Sequence, residues 1–215
     1  MQLALALYPG FTCLDIIGPF QALVDVPGHE TVFVAAEPGP IDDQTGRCPL
    51  MATKSLAEVS SPDVIVVPGG DTFELDKRLV DWVRDVHPTT QWTTSVCTGA
   101  LYLAAAGLLD GLEASTHWAW AERLNELGAR YVERRVVENG KVITAAGVSS
   151  GIDMALTLLD RMYGAEVAQA VQLAIEYDPE PPFDSGSPSK ASPDIVDLVR
   201  PLVRPEKQAA TAQQS

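Results

Sequence analysis

The sequence predicts an α/β fold: a three-layer α/β/α sandwich in which helices cover both faces of a doubly wound, mostly parallel sheet. Short apolar runs with strand composition alternate with helical segments along the chain. Two of these runs end abruptly, at Pro9-Gly10 and at Pro68-Gly69-Gly70, as buried parallel strands do. The stretch 92–107 changes from strand to helix composition around Cys97. At 215 residues the chain is long enough for one such domain with a full core.

The first half of the chain carries three predicted strands. Residues 2–8 form the first strand, and a helix follows from about Asp15 to Val24. Residues 31–36 form the second strand, and 37–50 read as a loop with a short strand pair because Gly, Pro and charged residues dominate there. Residues 63–67 form the third strand, before a helix over 74–86.

The second half begins with the strand 92–96 and its helix, which ends at Gly107. A helix over 117–127 precedes strands at 130–137 and 141–145, joined by a turn with Asn139-Gly140 at its centre. Helices follow at 148–162, where Ser149 or Ser150 can cap the first turn, and at 165–175. We expect residues 1–185 to form the domain and 186–215 to be an extension with a surface helix over 193–203 and a disordered end.

Composition narrows the classes of partner. Lys and Arg total 15 against 29 Asp and Glu, a net charge of −14, which argues against nucleic acid and anionic membranes. No apolar run reaches the length of a membrane span, and the N-terminus lacks the basic region of a signal peptide. The three cysteines show no CxxC spacing, so we expect neither a disulfide framework nor a zinc site, and a cytoplasmic location fits best. Cys13 and Cys48 are interpreted as structural.

The stretch around Cys97 has the form of a nucleophile elbow. A strand that turns into a helix over Cys97-Thr98-Gly99 lifts the cysteine side chain out of the sheet, above a helix N-terminus. Free N–H groups and the helix dipole there favour thiolate over thiol. A buried, inert cysteine is the alternative interpretation.

Other candidate residues follow neighbouring strands and should meet Cys97 at the carboxyl edge of the sheet. They are Asp15, after the first strand, and Gly69 and Gly70, whose N–H groups can approach a ligand closely. Taken singly, an Asp near a helix start and a Gly-Gly turn are both common structural features. His117 is a possible base for a Cys–His pair, but its place beside Trp118 favours a packed, structural role.

Four motifs occur in order along the chain: Leu14-Asp15-Ile16-Ile17-Gly18-Pro19, Val66-Val67-Pro68-Gly69-Gly70, Ser95-Val96-Cys97-Thr98-Gly99 and Ser115-Thr116-His117-Trp118. Together they resemble the ThiJ/PfpI superfamily over roughly residues 2–185. Two further stretches, 147–157 and 171–188, look like the isonitrile hydratase branch, as does the pairing of Cys97 with Thr98. Peptidase-like members place a histidine directly after the cysteine, where this chain has Thr98. The resemblance implies a flavodoxin-like sheet and, in most members, a homodimer.

The resemblance also implies roles at the site. Cys97 would be the nucleophile, Asp15 its acidic partner and Thr98 a hydrogen-bonding neighbour. Gly69, Gly70 and Thr98 would supply backbone donors to developing negative charge, and His117 and Gly147 would support them. We hypothesise that the Cys97 thiolate attacks the terminal carbon of a small-molecule isonitrile while protonated Asp15 delivers a proton. Water would then convert the resulting thioimidate into an N-substituted formamide, with no metal and no organic cofactor.

Two alternatives stay open from the sequence. The same cysteine could serve a glyoxalase-like or deglycase-like enzyme that acts on ketoaldehydes. It could also serve a non-catalytic ligand or redox sensor, because a thiolate at such an elbow oxidises readily.

Overall fold

The computed structural model of the protein describes residues 1–24, 26 and 28–203. The strands are β1 Gln2–Ala6, β2 Glu30–Ala35, β3 Gly39–Ile41, β4 Leu50–Ala52, β5 Lys54–Ser55, β6 Val64–Val67, β7 Trp92–Val96, β8 Glu113–Ala114, β9 Arg130–Tyr131, β10 Val136–Asn139 and β11 Val142–Ala145. The helices are α1 Cys13–Leu23, α2 Lys77–Val86, α3 Gly99–Ala105, α4 Ala121–Glu126, α5 Ser150–Tyr163, α6 Ala165–Ala174 and α7 Pro193–Val203.

A seven-stranded sheet in the order β10-β11-β7-β6-β1-β2-β5 forms the centre of the molecule. All neighbouring strands pair in parallel except β10, which pairs antiparallel with β11. The chain winds from β1 outward to β2 and β5, then returns to β6 and continues the other way through β7 and β11. The direction of winding therefore reverses between β1 and β6, and a crevice opens beyond their carboxyl ends. The predicted doubly wound α/β class is confirmed.

Burial explains why these short segments form strands. Every residue of β6 and β11 is buried, as is all of β1 after Gln2, so these strands are apolar or β-branched throughout. The helices pack in two groups, α1 with α5 and α6, and α2 with α3 and α4, which agrees with a helical layer on each face.

Several local predictions differ from the structure. The predicted helix over 117–127 divides into a 3-10 turn at Trp118–Trp120 and the short helix α4, because the His117 ring accepts the N–H of Ala119 and starts the turn early. The predicted strand over 130–137 is interrupted by a turn in which Arg134 N–H donates to the Val132 carbonyl. Ser149 stands at the N-cap of α5 without a side-chain cap bond.

The region after residue 178 is irregular until α7, whose bounds are those predicted for the surface helix, and α7 contains no buried residue. The disorder predicted for the last ten residues, 206–215, concerns a part of the chain that lies outside the described residues. Within the described part of the chain, no helix is long and apolar enough to cross a membrane. No cluster of three or more His, Cys, Asp or Glu side chains suited to a metal ion occurs among residues 1–24, 26 and 28–203.

Candidate active site

Cys97 stands at the bend between β7 and α3 in a left-handed backbone conformation, with φ of 57°. A non-glycine residue there is strained, and the surrounding structure must hold it in place. The Cys97 N–H donates to the carbonyls of Ala145 and Ala146 at 3.1 and 2.8 Å, and its own carbonyl accepts the Thr116 hydroxyl at 2.9 Å. The predicted nucleophile elbow is therefore present as a backbone feature fixed on both sides.

Two glycines let the elbow lie directly against the end of β6. A Cβ atom on Gly99 would stand 2.1 Å from the Val67 carbonyl oxygen, and one on Gly69 would stand 2.6 Å from the Thr98 nitrogen. Because both obstacles are backbone atoms, no side chain larger than hydrogen fits at either position without moving the main chain. These glycines bring the loop after β6 against the cysteine.

Asp15, near the start of α1, is fully buried beside this junction. Its Oδ2 accepts the Gly69 N–H at 2.8 Å, whereas Oδ1 finds no N–H or O–H donor among the described residues. Burial raises the pKa of Asp15 to about 7, against the lowering effect of hydrogen bonds from Gly69 and from the Cys97 thiol. A carboxyl group with this pKa can both accept and release a proton near neutral pH.

The Cys97 thiol is not favoured as a thiolate in the resting protein. Burial raises its pKa well above the ordinary value, and the nearby Asp15 carboxylate raises it further. The N–H groups of Val148 and Thr98 lower it but do not offset burial. The sequence-based expectation of a resting thiolate is therefore not supported, because α3 is only the seven residues Gly99–Ala105 and Cys97 is buried.

The amides of Gly69 and Gly70 already donate to side chains. Gly69 N–H donates to Asp15, and Gly70 N–H donates to the Thr98 hydroxyl at 3.0 Å. Both amides thus position catalytic candidates, and neither is free for a substrate in this structure, contrary to the role expected for them. The N–H groups of Thr98 and Val148 bond to Cys97 Sγ instead. Val148, with φ of 21° after Gly147, was missed because its contribution is main-chain and leaves no side-chain signature.

His117 lines the pocket with a half-buried ring that stacks on Trp118, the ring centroids 5.6 Å apart. Its Nδ1 accepts the Ala119 N–H at 3.4 Å, and burial lowers its pKa, which favours the neutral ring. A Cβ atom on Gly147 would stand 2.9 Å from the His117 ring, so this glycine gives the ring its space. The geometry supports a structural role for His117 and Gly147 rather than that of a base.

A cavity of about 360 Å³ opens above Cys97 and Thr98. Part of its wall is polar and comes from Thr12, Gln44, Asp71 and His117. The remainder is apolar and comes from Phe73, Trp120, Val148, Leu202 and Val203. The last two belong to α7, whose Val203 carbonyl accepts the Trp120 indole N–H at 3.3 Å. No local pattern in the sequence predicts that the C-terminal helix reaches the site, because this packing depends on tertiary structure.

Sequence comparisons show which known proteins this chain resembles. The sequence profile of the DJ-1/PfpI family matches residues 1–161. Among curated proteins, the isonitrile hydratase of Pseudomonas putida is 40% identical over 214 residues, which cover 98% of this chain and 93% of that protein. An HTH-type transcriptional regulator of Pseudomonas aeruginosa is 27% identical over 77% of this chain, but the match spans only 52% of the regulator.

Solved structures of two other proteins superpose on this chain. A THiJ/PfpI family protein from Pseudomonas syringae superposes with a TM-score of 0.89 at 33% identity, covering 94% of this chain and 85% of that chain. DJ-1 from Schizosaccharomyces pombe superposes with a TM-score of 0.69 at 21% identity over 81% of this chain, and shows the shared fold alone. With a family profile that spans most of the sequence, a doubly wound sheet and a strained cysteine at the end of β7, this chain belongs to the DJ-1/PfpI family.

Proposed function

We propose that the protein hydrates isonitriles to N-substituted formamides, with Cys97 as nucleophile. The observation that carries the proposal is that the buried Cys97 thiol and the buried Asp15 carboxyl lie close enough for the charge of Asp15 to raise the pKa of Cys97, at the base of a pocket with one polar and one apolar wall. Similarity to the P. putida isonitrile hydratase along 98% of this chain supports the choice of reaction.

The first step is addition of the Cys97 thiol across the terminal carbon of the isonitrile. Because the pKa of Asp15 is about 7 and that of Cys97 is well above its ordinary value, above about pH 7 the pair holds one proton, which lies on the thiol. As Sγ bonds to the carbon, the thiol proton passes to Asp15 and from there to the same carbon. The product is a thioimidate, R–N=CH–S–Cys97, and Asp15 is again a carboxylate. The thiol proton therefore ends on the substrate carbon, and Asp15 carries it there.

The second step is hydrolysis of the thioimidate. Asp15, as a carboxylate, takes a proton from a water molecule whose oxygen adds to the carbon, and it passes that proton to the imine nitrogen, so that it is a carboxylate again. The tetrahedral adduct, R–NH–CH(OH)–S–Cys97, then loses its hydroxyl proton while the carbon–sulfur bond breaks. The formamide R–NH–CHO leaves, and Cys97 recovers its proton. Atoms balance as one isonitrile plus one water, with no net oxidation.

The surrounding residues position Asp15, stabilise charge on sulfur and contact the substrate. Thr98 accepts the Gly70 N–H, which holds the Gly69-Gly70 turn and, through Gly69, the Asp15 carboxyl. The N–H groups of Thr98 and Val148 stabilise charge on sulfur as the carbon–sulfur bond forms and breaks. Phe73, Trp120 and Leu202 face the substituent of the isonitrile, which favours an apolar R group.

The protein's setting forms a second part of the proposal. We propose that it acts in the cytoplasm, because all three cysteines are free, and as a homodimer, because the resemblance implies one. The two proposed reactants, an isonitrile and water, are uncharged, so their binding does not require a basic surface. The net charge of −14 is compatible with such reactants.

The proposal is tested by supplying the purified protein with an aryl isonitrile in one arm and methylglyoxal in the other. We expect formamide to accumulate in the first arm, measured by ultraviolet absorbance and confirmed by mass spectrometry. Consumption of methylglyoxal by a folded protein that leaves the isonitrile untouched would overturn the hydratase assignment in favour of a ketoaldehyde enzyme. Inactivity in both arms would favour the sensor interpretation.

A further inference from the structure

Two cysteines outside the proposed reaction lie side by side, and one of them, Cys13, follows the pocket-lining Thr12 in the chain. Cys13 is the first residue of α1, and Cys48 lies in the loop between β3 and β4, 35 positions along the chain. Their sulfur atoms are 3.3 Å apart and share a hydrogen bond. Both thiols are free, Cys48 exposed and Cys13 partly buried. Neither has a role in the proposed hydration.

The loop that carries Cys48 is built to hold it there. The Asp43 carboxylate accepts the N–H groups of Arg47 and Cys48 at 3.0 and 3.1 Å, which folds the loop back towards α1. The neighbouring Gln44 is fixed to the same stretch as Cys13, because its N–H donates to the Phe11 carbonyl at 2.9 Å. The approach of the two thiols therefore follows from an ordered backbone on both sides.

We propose that Cys13 and Cys48 form an oxidative modification site that closes to an intramolecular disulfide in response to a peroxide. A disulfide needs sulfur atoms about 2.05 Å apart, so closure requires a movement of little more than about 1 Å. The site is distinct from Cys97, which is buried, whereas Cys48 is exposed.

The chemistry uses hydrogen peroxide as the oxidant. The exposed Cys48 sulfur attacks a peroxide oxygen, the O–O bond breaks, and water leaves, so that Cys48 becomes a sulfenic acid. Cys13 sulfur then attacks Cys48 sulfur, the S–O bond breaks, and a second water carries away the remaining proton. In sum, two thiols and one peroxide give one disulfide and two waters. Each sulfur is oxidised, and both peroxide oxygens are reduced.

The second step should be the slower one. Burial and the hydrogen bond with Cys48 raise the pKa of Cys13 to about 11, so little of it is thiolate at neutral pH. We therefore expect disulfide closure to become faster as the pH rises from about 7 to about 10, because the thiolate is the attacking species.

Closure would act on the pocket. Thr12 and Gln44 both line the cavity and contact each other, and each stands near one of the two cysteines. A disulfide fixes this polar wall to the start of α1, two residues before Asp15. We expect oxidation to change the KM of isonitrile turnover at least about twofold, reversibly with dithiothreitol; this consequence rests on the proposed function, whereas the disulfide itself does not.

Peptide mapping of the full chain after mild peroxide treatment, without reduction, tests the site. We expect a Cys13–Cys48 cross-linked peptide, with Cys97 still available to alkylation after unfolding. In Cys13→Ser, which lacks the resolving thiol, Cys48 should accumulate as a sulfenic acid that dimedone traps. A disulfide between two chains, a bond to Cys97, or sulfonic acid at Cys48 of the wild-type protein would overturn the proposal.

The coupling to the pocket has its own test. KM is measured before and after complete oxidation of the wild-type protein and of Cys48→Ser, which cannot close the disulfide. A change confined to the wild type and reversed by dithiothreitol is expected. An unchanged KM in fully disulfide-bonded protein would overturn the coupling, whereas absence of any isonitrile turnover would refute the hydratase assignment and leave the mapped disulfide standing.

Discussion

The two sides of the pocket are built in opposite ways. The pocket floor, which consists of the proposed catalytic residues Cys97, Asp15 and Thr98, is almost wholly buried and is held by main-chain hydrogen bonds and glycine contacts. The apolar roof includes Leu202 and Val203, from a helix that has no buried residue. In the proposed function, the buried floor carries the chemistry and the exposed helix α7 contacts the substituent of the isonitrile. Changes in the floor should therefore alter turnover, and changes in the roof should alter substrate preference.

The largest effect is expected from Asp15→Asn, which keeps the shape of the side chain but removes proton transfer. We expect kcat to fall about 10²- to 10⁴-fold, the usual contribution of a positioned acid or base. In the wild type, kcat/KM should rise with pH through about 7, because ionised Asp15 accepts the thiol proton, and the variant should lose this rise. Asp71→Asn, a carboxyl change in the same pocket, is the matched control and should keep the rise. An unaltered pH profile in Asp15→Asn would exclude the relay.

The same buried carboxyl should make stability depend on pH. Burial gives Asp15 a pKa of about 7 in the folded protein, against about 3.9 in an unfolded chain. Between these values the folded state binds more protons, so the free energy of unfolding falls as pH rises from 4 to 7. The difference corresponds to about 4 kcal/mol, which Asp15→Asn should remove. Urea unfolding at several pH values measures it, and equal slopes in the two proteins would contradict the raised pKa.

A smaller but still large effect is expected where the elbow meets β6. Gly99→Ala places a methyl group 2.1 Å from the Val67 carbonyl oxygen. Because the obstacle is backbone, we expect a loss of at least about 3 kcal/mol in the free energy of unfolding. Gly186→Ala, where a Cβ meets nothing within 4 Å, is the control and should be neutral. Comparable stability of the two variants would show that the elbow does not pack as described.

The smallest effect is expected in the roof. Leu202→Ala shortens a side chain that lines the cavity, so KM for a bulky apolar isonitrile should rise roughly threefold with kcat unchanged. Leu198→Ala, on the same helix but away from the cavity lining, should leave KM unchanged. Steady-state kinetics with a large and a small isonitrile distinguishes loss of contact from general damage. Equal changes for both variants would mean that α7 does not contact the substrate.

More of the pocket floor than of the pocket roof could be predicted from the sequence. The Cys97 elbow could be predicted because strand and helix composition meet at one residue, and Asp15 because a motif after β1 marks it. Their protonation could not be predicted, since it depends on burial that only the assembled layers create. The contact of the Val148 N–H with Cys97 was not predicted, because the direction of a main-chain N–H group cannot be read from residue types. The contacts of α7 and of Cys13 with Cys48 join distant parts of the chain, for which local patterns hold no information.

The most direct test of the central claim compares isonitrile turnover by the wild type with turnover by Cys97→Ala and Cys97→Ser, each shown to be folded. We predict formamide production by the wild type and none above background from either variant. A covalent adduct equal in mass to the isonitrile, mapped to Cys97, would identify the thioimidate. Near-normal turnover by Cys97→Ser or Cys97→Ala would contradict covalent catalysis at this residue.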